Sequence, residues 1–233
     1  MGSAASASST TPNTSKEPHH EPFATPPDCR HRRTAGHAHA LAADSNADLY
    51  DAVAPADSAF VRVLNLSERS IDVTLSGKVN PQKVAAGQLS GYRFTPAGAH
   101  RIAIGSQAIE PQLKANAAST VVYDGQGLTL IADKYVNEPK KAQIAFYNLT
   151  PAQVTLKTVD GKTSVIDPLG KDQTGSRLVN EIKIGFAAYV DQQNVARFDE
   201  LFLKKGRSYS YVLLPQGSGY KSMSLANSID PTE

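Results

Sequence analysis

A strand-like segment that occurs twice is the feature that most constrains the fold of this chain. The first copy, Ser58–Ser67, reads SAFVRVLNLS, and the second, Lys141–Thr150, reads KAQIAFYNLT. Aligned on the shared Asn-Leu-Ser/Thr ending, Val61 and Val63 fall opposite apolar residues of the second copy, whereas Arg62 has the other parity. Residues at alternate positions share one face of a strand, so each copy predicts a strand with one buried face.

The similarity extends beyond this first strand. In the first copy Ile71, Val73 and Leu75 alternate with polar residues, and in the second copy Val154 and Leu156 do the same. Each of these segments is followed by a Gly-Lys pair, which is typical of a turn. The repeat period of about 80 to 85 residues is too long for a solenoid or a propeller blade and suits one small β domain per copy. We therefore expect two β modules in tandem, each with its own hydrophobic interior.

Short alternating apolar segments continue along the chain, separated by Gly, Pro, Asn and Asp. They predict strands at residues 59–66, 70–76, 79–85, 90–94, 99–105, 108–113, 118–124, 127–132, 142–149, 153–158, 163–166, 182–190, 195–204, 207–214 and 219–225. Hairpin turns are predicted at Asp124-Gly125 and Asp160-Gly161, a tight turn at Pro96–Gly98 and a longer loop at Asp167–Gly175. Only Arg197–Leu203 leaves helix and strand both open. The predicted fold class is all-β, with two tandem β-sandwich domains preceded by a disordered N-terminal tail.

A change in composition divides the chain into parts. Residues 1–47 are rich in Ser, Thr, Pro, Ala and His, so they cannot bury enough apolar surface to offset the entropy of ordering. They are predicted to be a disordered tail. The polar, Pro-containing segment 134–140 predicts a linker. This places the N-terminal β-sandwich at residues 48–133 and the C-terminal β-sandwich at residues 141–233.

The tail also contains features of a metal site and of a secretion leader. Five of the six histidines lie in it, but a metal site needs ligands in a preorganised arrangement. The basic residues Arg30–Arg33 precede Ala-rich sequences that resemble signal-peptidase sites, without an apolar segment of roughly 7 to 15 residues between them. The tail is therefore interpreted either as disorder alone or as a degenerate leader.

Composition excludes several classes of function. The formal net charge of +2 gives no basis for binding nucleic acid. No apolar run approaches the roughly 18 residues of a transmembrane helix. The single cysteine, Cys29, lies in the tail, so the predicted globular part carries no disulfide, no thiolate metal ligand and no cysteine nucleophile.

Residues that could support catalysis are scarce in the predicted globular part. Its one histidine, His100, has the strand parity of Ile102 and Ile104, which favours a structural position at the edge of the core. No Gly-x-Ser-x-Gly elbow and no nucleotide-binding glycine loop are present. We predict that the protein is not an enzyme, that it has no catalytic, cofactor-binding or metal-ligating residues, and that it needs no cofactor. An enzyme that uses His100 is the alternative.

Two sequons, Asn65-Leu66-Ser67 and Asn148-Leu149-Thr150, match the pattern for glycosylation. They lie at the ends of matching strands, where Asn, Ser and Thr side chains bond to their own backbone. We interpret both as strand terminators.

Five residues are candidates for contact with a partner or a glycan: Tyr92, Arg93, Lys204, Lys205 and Arg207. The sequence Tyr92-Arg93-Phe94 places two rings on one strand face and a guanidinium on the other. The basic turn Lys204–Arg207, together with Lys140-Lys141, could attract an anionic partner. The structural alternative is that the rings pack in the core and that the charges are only solvated.

Four segments carry a resemblance to a known family. These are Asp48–Asp51, Ser58–Asn65, Tyr92–Gly98 and Leu156–Lys162. Their order along the chain is stronger evidence for the resemblance than any single segment. From about residue 48 to about residue 217 the chain resembles the AlgF family, accessory proteins of alginate O-acetylation. The resemblance implies a periplasmic protein of two β-sandwich domains without a catalytic site of its own. No catalytic residues are carried over from the family.

The resemblance and the residues together leave two hypotheses of function. In the first, the protein is an adaptor required for alginate O-acetylation, with periplasmic and membrane alginate acetyltransferase proteins as its partners. In the second, it is a carbohydrate-binding module that holds alginate through Tyr92, Arg93 and the basic turn. Neither hypothesis involves nucleic acid or a transmembrane segment.

Overall fold

The computed structural model describes residues 54–230, and within this range the chain forms twenty β-strands and no helix. The predicted all-β fold class is therefore confirmed. The predicted disordered tail, residues 1–47, lies outside the described residues.

The first ten strands form the N-terminal module. They are β1 (Ser58–Asn65), β2 (Ile71–Leu75), β3 (Gln82–Val84), β4 (Arg93–Pro96), β5 (Gly98–Ala99), β6 (Ile102–Ile104), β7 (Gln107–Ile109), β8 (Gln112–Leu113), β9 (Ala118–Tyr123) and β10 (Leu128–Ala132).

The next ten strands form the C-terminal module. They are β11 (Ala142–Asn148), β12 (Val154–Thr158), β13 (Ser164–Leu169), β14 (Gln173–Val179), β15 (Ile182–Ile184), β16 (Phe186–Val190), β17 (Gln193–Arg197), β18 (Leu201–Leu203), β19 (Ser208–Gln216) and β20 (Gly219–Ala226).

The two modules have the same topology. In the first, one sheet has the order β10-β9-β1-β4, the other β3-β2-β6-β7, and β5 pairs with β8. Adding ten to each strand number gives the sheets of the second module. The unusual feature is shared too, because β1 pairs in parallel with β9 as β11 does with β19. The tandem duplication predicted from the sequence is present strand by strand.

Three apolar layers hold the molecule together, and two of them are the predicted sandwich interiors. Val61 and Val63 of β1 lie in the interior of the first module, and Ile144 and Phe146 of β11 lie in that of the second. All four side chains are buried, as expected from their shared parity.

The third apolar layer was not predicted. It lies between the β10-β9-β1-β4 sheet and the sheet that contains β11 and β19, and it includes Leu64, Val122, Tyr147 and Val212. The four large sheets therefore stack with three apolar layers between them. Sequence parity alone assigns this face of β1 to solvent, whereas the structure covers it with the other module.

Two equivalent asparagines end β1 and β11. The Nδ2 of Asn65 and the Nδ2 of Asn148 each donate to the carbonyl oxygen four residues later, at 2.7 Å in both modules. Their Oδ1 atoms accept the backbone N–H groups of Ser67 and Thr150, at 3.0 Å in both. Both asparagines are fully buried. The interpretation of the two sequons as strand terminators is confirmed.

The predicted hairpin turns are also confirmed. Gly125 lies between β9 and β10, and Gly161 between β12 and β13, which are antiparallel pairs. Both glycines have positive φ angles, 94° and 72°, a conformation that glycine adopts without steric cost. A bend at Ala97 separates β4 from β5, as predicted for Pro96–Gly98.

One local prediction needs correction, and one segment that the sequence left open is resolved by the structure. The predicted loop Asp167–Gly175 contains the end of β13 and the start of β14. No apolar alternation marks β14, because its inward position is Gly175, where a Cβ would lie 2.6 Å from a methyl group of Ile166. The undecided segment Arg197–Leu203 contains the last residue of β17 and all of β18, so it is not a helix.

Candidate functional site

A cleft of about 200 Å³ opens where the two modules meet. On the first module it is lined by Phe60 of β1 and by Tyr92, which directly precedes β4. On the second module it is lined by Arg207, which directly precedes β19, and by residues 227–229, which follow β20. Tyr135, between β10 and β11, completes it. We refer to it as the intermodule cleft.

The buried guanidinium of Arg62 holds two walls of this cleft together. Arg62 is only 1% exposed. Its Nε donates to Thr120 Oγ1 at 2.9 Å. Its Nη2 donates to the hydroxyls of Tyr147 and Ser210 in the second module, at 2.9 and 2.8 Å. Its Nη1 donates to Asn227 Oδ1 at 2.8 Å. A single side chain thus links β1, β9, β11, β19 and the segment after β20.

Tyr92 lies between this guanidinium and a carboxylate. The guanidinium carbon of Arg62 is 4.4 Å from the centre of the Tyr92 ring, which is a cation–π contact. The Tyr92 hydroxyl donates to Asp133 Oδ2 at 2.7 Å. Thr120, which accepts from Arg62, donates to Asp133 Oδ1 at 2.9 Å. The carboxylate of Asp133 therefore belongs to the same network and offsets part of the buried positive charge.

Burial and charge set the protonation of this network. Burial alone would lower the pKa of Arg62, but charge interactions with Tyr92, Tyr147 and Asp133 raise it above its ordinary value. Burial raises the pKa of Tyr92 well above its ordinary value and that of Tyr147 to about 12, although the nearby Arg62 charge lowers both. Near neutral pH the guanidinium is therefore charged and both phenols keep their protons, so all three remain hydrogen-bond donors.

The segment after β20 crosses to the first module and forms one wall of the cleft. The Tyr92 N–H donates to the Ser228 carbonyl, and the Asp230 N–H donates to the Tyr92 carbonyl, both at 2.8 Å. Gly91 permits this approach, because a Cβ there would lie 3.0 Å from the backbone nitrogen of Asp230. The pairing places Ile229 in the cleft lining.

Four of the five predicted contact residues lie in or beside the intermodule cleft. Tyr92 and Arg207 line it, and Lys204 and Lys205 are exposed in the turn that leads to Arg207. The Gly206 N–H donates to the carbonyl of residue 141 at 2.9 Å, so the second basic pair adjoins this turn. The cleft thus combines aromatic rings with a basic rim.

The fifth predicted residue, Arg93, lies elsewhere. It is opposite Val61 in the β1–β4 pair, so it faces the interior of the first module, and it is 4% exposed. Its Nη1 donates to the Asn80 carbonyl at 2.7 Å. Contact of any of the five residues with a partner or a glycan stays a prediction.

The side chains that line the cleft are suited to binding a ligand, and none of them stands out as a catalytic group. Phe60, Tyr92 and Tyr135 provide aromatic faces, Arg207 a guanidinium, and Asn227 an amide. Aromatic faces stack on sugar rings and pack against apolar side chains, and a guanidinium binds carboxylates. Such a lining suits an anionic sugar or an extended segment of a protein.

His100 lies in a separate groove on the first module, which Lys78 and Phe94 also line. Its Nε2 is 2.8 Å from the Pro96 carbonyl oxygen, and its Nδ1 is 3.2 Å from Ser76 Oγ. In the tautomer with the proton on Nε2, the ring donates to Pro96 and accepts from the Ser76 hydroxyl. A hydroxyl within reach of a base that a third group orients is also the arrangement of an activated nucleophile. The hypothesis of an enzyme that uses His100 therefore stays open to test.

Two further findings concern metals and membranes. Among the described residues, no three side chains of His, Cys, Asp or Glu come together so that they could hold a metal ion. Residues 54–230 also contain no helix that is long and apolar enough to cross a bilayer. The absence of a cofactor stays a prediction.

Sequence reasoning did not single out Arg62, Asp133 or Asn227. One signal for Arg62 exists, because in the aligned repeat it corresponds to Ala145. A charged residue that replaces a small apolar one at an equivalent strand position indicates a special contact. The partners of Arg62 on the second module lie 85, 148 and 165 residues away, so nothing local predicts them.

Comparison with known proteins identifies the family. The family whose sequence model is described as "Alginate O-acetyl transferase AlgF" matches residues 34–210. The chain belongs to the AlgF family. It is 34% identical over 175 residues to the alginate biosynthesis protein AlgF of Pseudomonas fluorescens, which is 75% of this chain and 79% of that protein. It is 32% identical over 165 residues to AlgF of Azotobacter vinelandii, covering 70% and 76%.

A solved structure of the C-terminal domain of AlgF from P. aeruginosa is 26% identical, with a TM-score of 0.35. It covers 38% of this chain and 99% of that domain. The resemblance to AlgF that the sequence motifs indicated is confirmed by the family match and by the two relatives.

Proposed function

We propose that this protein is a non-catalytic, periplasmic adaptor that bridges the acetyltransferase components of alginate O-acetylation. Membership of the AlgF family carries a role in alginate biosynthesis and O-acetylation. The bridging role is our own assignment, and the packed, hydrogen-bonded joint between the two modules supports it.

The joint is the observation on which this proposal depends. An adaptor whose binding faces are held at a fixed separation loses less conformational entropy when it binds two partners than a flexible one does. Here the third apolar layer, with Leu64, Val122 and Tyr147, and the hydrogen bonds of Arg62 fix one module against the other. The two sandwiches therefore form one body and are not independent domains joined by a linker.

The proposal assigns the acetyl-transfer chemistry to partner proteins, although the description of the family includes the word transferase. It is tested at His100, whose ring is within reach of the Ser76 hydroxyl. We expect His100→Ala and Ser76→Ala each to leave alginate acetylation unchanged when the variant replaces the wild-type protein. Loss of acetylation in both, with normal amounts of folded protein, would contradict the non-catalytic role.

Co-purification tests the bridging role directly. The tagged full-length chain should recover acetyltransferase proteins of the same alginate system, and two different components should be recovered together only in its presence. Recovery of no component, under conditions where the chain is folded, contradicts the proposal. Periplasmic location is tested separately, by osmotic shock fractionation of cells that produce the chain with its natural upstream sequence.

A second candidate function is that the protein holds alginate itself, and the intermodule cleft favours it. Alginate carries a carboxylate on each sugar, and the cleft offers Tyr92, Tyr135 and Arg207 beside exposed lysines. Titration with mannuronate oligomers should then show binding that weakens with salt and is lost in Tyr135→Ala. Absence of binding at low ionic strength removes this candidate.

A further inference from the structure

We propose that one end of the second module is a docking face for an acidic surface of a partner protein, and this rests on the adaptor role proposed above. The face consists of three segments, residues 134–143, 177–183 and 202–208. We call it the basic end. It adjoins the intermodule cleft but extends beyond it onto β14, β15 and β18.

Backbone and side-chain hydrogen bonds tie the three segments into one surface. The Gly206 N–H donates to the carbonyl of Lys141 at 2.9 Å. The Lys205 N–H donates to the carboxylate of Glu181 at 3.3 Å. The β15–β18 pair then joins residues 182–184 to residues 201–203. The three segments therefore lie side by side at one end of the second module.

Apolar side chains are exposed here more than elsewhere. Among residues 54–230, seven large hydrophobic side chains are exposed, and five of them belong to the basic end: Tyr135, Val136, Leu178, Ile182 and Phe202. Single exposed apolar residues scattered over a surface need no explanation, whereas a group of them at one end marks a binding surface. An aromatic or aliphatic centre within a polar rim is the usual composition of a protein interface.

The positive charge of the basic end favours a partner with an acidic surface. The three segments contain eight Lys or Arg residues and two Glu residues, whereas the whole chain carries a net charge of only +2. Lys204 and Lys205 are exposed, and Lys183 pairs with Glu200 at 3.2 Å. A surface of this kind is complementary to a partner with carboxylates around an apolar patch.

The aliphatic members of the group favour a protein over a polysaccharide. Val136, Leu178 and Ile182 gain free energy when they exclude water against other apolar side chains. Sugar rings instead stack on flat aromatic faces and bond through hydroxyls, to which these three residues contribute little. Binding of polysaccharide at this end is therefore the competing outcome of the test.

Two pairs of substitutions test the apolar centre and the charged rim separately. The first is Leu178→Ser with Phe202→Ser, and the second is Lys204→Glu with Lys205→Glu. Matched controls on the first module are Val79→Ser, at a side chain that is 96% exposed, and Lys114→Glu, which is also exposed. Each full-length variant is titrated against the purified acetyltransferase proteins of the same alginate system, one at a time and at two salt concentrations.

The apolar pair is expected to weaken binding of one of these proteins by about tenfold or more, as truncation of interface anchors does. The charge pair is expected to slow association and to reduce its dependence on salt. The controls should bind as the wild type does. Thermal midpoints identify any variant that fails to fold, and the lysine pair is exposed, so it decides the test if the apolar pair unfolds.

The outcomes distinguish a failure of this proposal from a failure of the adaptor role. If a component binds the wild type and both variant pairs equally, the docking face is wrong and the adaptor role stands. If no component binds the wild type, the adaptor role fails and the docking face fails with it. If the variants lose binding to mannuronate oligomers but not to proteins, the basic end is a polysaccharide site and the proposal is overturned.

Discussion

Nη2 of Arg62 in the first module donates a 2.9 Å hydrogen bond to the phenol of Tyr147 in the second, and both side chains are at least 97% buried. The bond crosses the apolar layer between the modules. A charge in such a place is tolerated because Nη1 and Nη2 both donate to residues of the second module, and the guanidinium also lies over the Tyr92 ring.

Replacement of Arg62 by Met should therefore destabilise the protein by about 3 kcal/mol, since it leaves the hydroxyls of Tyr147, Ser210 and Thr120 without their donor. Urea denaturation followed by circular dichroism measures the change. Arg69→Met, at an exposed position of the same module, is the control and should leave the midpoint unchanged. An Arg62→Met variant as stable as the control would show that the network adds nothing to the joint.

Alkaline pH should weaken the same joint. The folded protein raises the pKa of Tyr147 to about 12, above the value of about 10 in an unfolded chain. A raised pKa means that the contribution to stability is complete below about pH 10 and is lost as the pH rises toward 12. Urea midpoints measured from pH 8 to 11.5 should fall, and Tyr147→Phe should make the fall less steep. Tyr135→Phe, at a half-exposed ring, is the comparison.

The two strand-ending asparagines should contribute alike. Asn65→Ala and Asn148→Ala each remove a buried side chain that bonds to several backbone groups, so each should cost about 2 to 3 kcal/mol. Guanidinium denaturation of both variants, with Asn194→Ala at an exposed position of β17 as control, provides the comparison. A large effect in only one module would mean that the same hydrogen-bond geometry contributes unequally to the free energy of unfolding in the two modules.

Tyr211 offers a stabilising substitution. Its hydroxyl is buried and makes no hydrogen bond to any described residue. The ring meets Phe186 and Phe198 edge to face, at 5.1 and 5.4 Å between centroids. Tyr211→Phe keeps those contacts and removes the unsatisfied hydroxyl, so it should raise stability by about 1 kcal/mol. A clear loss of stability in calorimetry would instead show that the hydroxyl has a partner, such as a buried water.

The sequence predicts the modules well because each is built on local alternation and marked turns. The face that carries Val61 and Val63 is apolar in both copies, and the turns at Gly125 and Gly161 carry their own signals. Only β14 was not predicted, because an inward glycine leaves space for Ile166 and removes the apolar alternation. Its equivalence to β4 in the repeat was the remaining clue.

The site is harder to predict because it is assembled from distant parts of the chain. The sequence identifies Tyr92, an aromatic residue, and Arg207, a basic turn residue, as candidate contact residues. Both line the intermodule cleft. Arg93 has the same kind of signal as Tyr92, yet strand parity directs it into the first module. From the sequence, Arg62 is interpreted as a residue that faces solvent, whereas in the structure the second module covers it.

The equivalence of Arg62 and Ala145 has a consequence for how the two halves are related. The modules meet through equivalent sheets, as two subunits do in an isologous homodimer about a two-fold axis. A homodimer of two identical chains that met through the same sheets would bury this guanidinium twice. Joining both copies in one polypeptide allows the arginine on one side and the alanine on the other, so the covalent connection permits an asymmetry that self-association forbids.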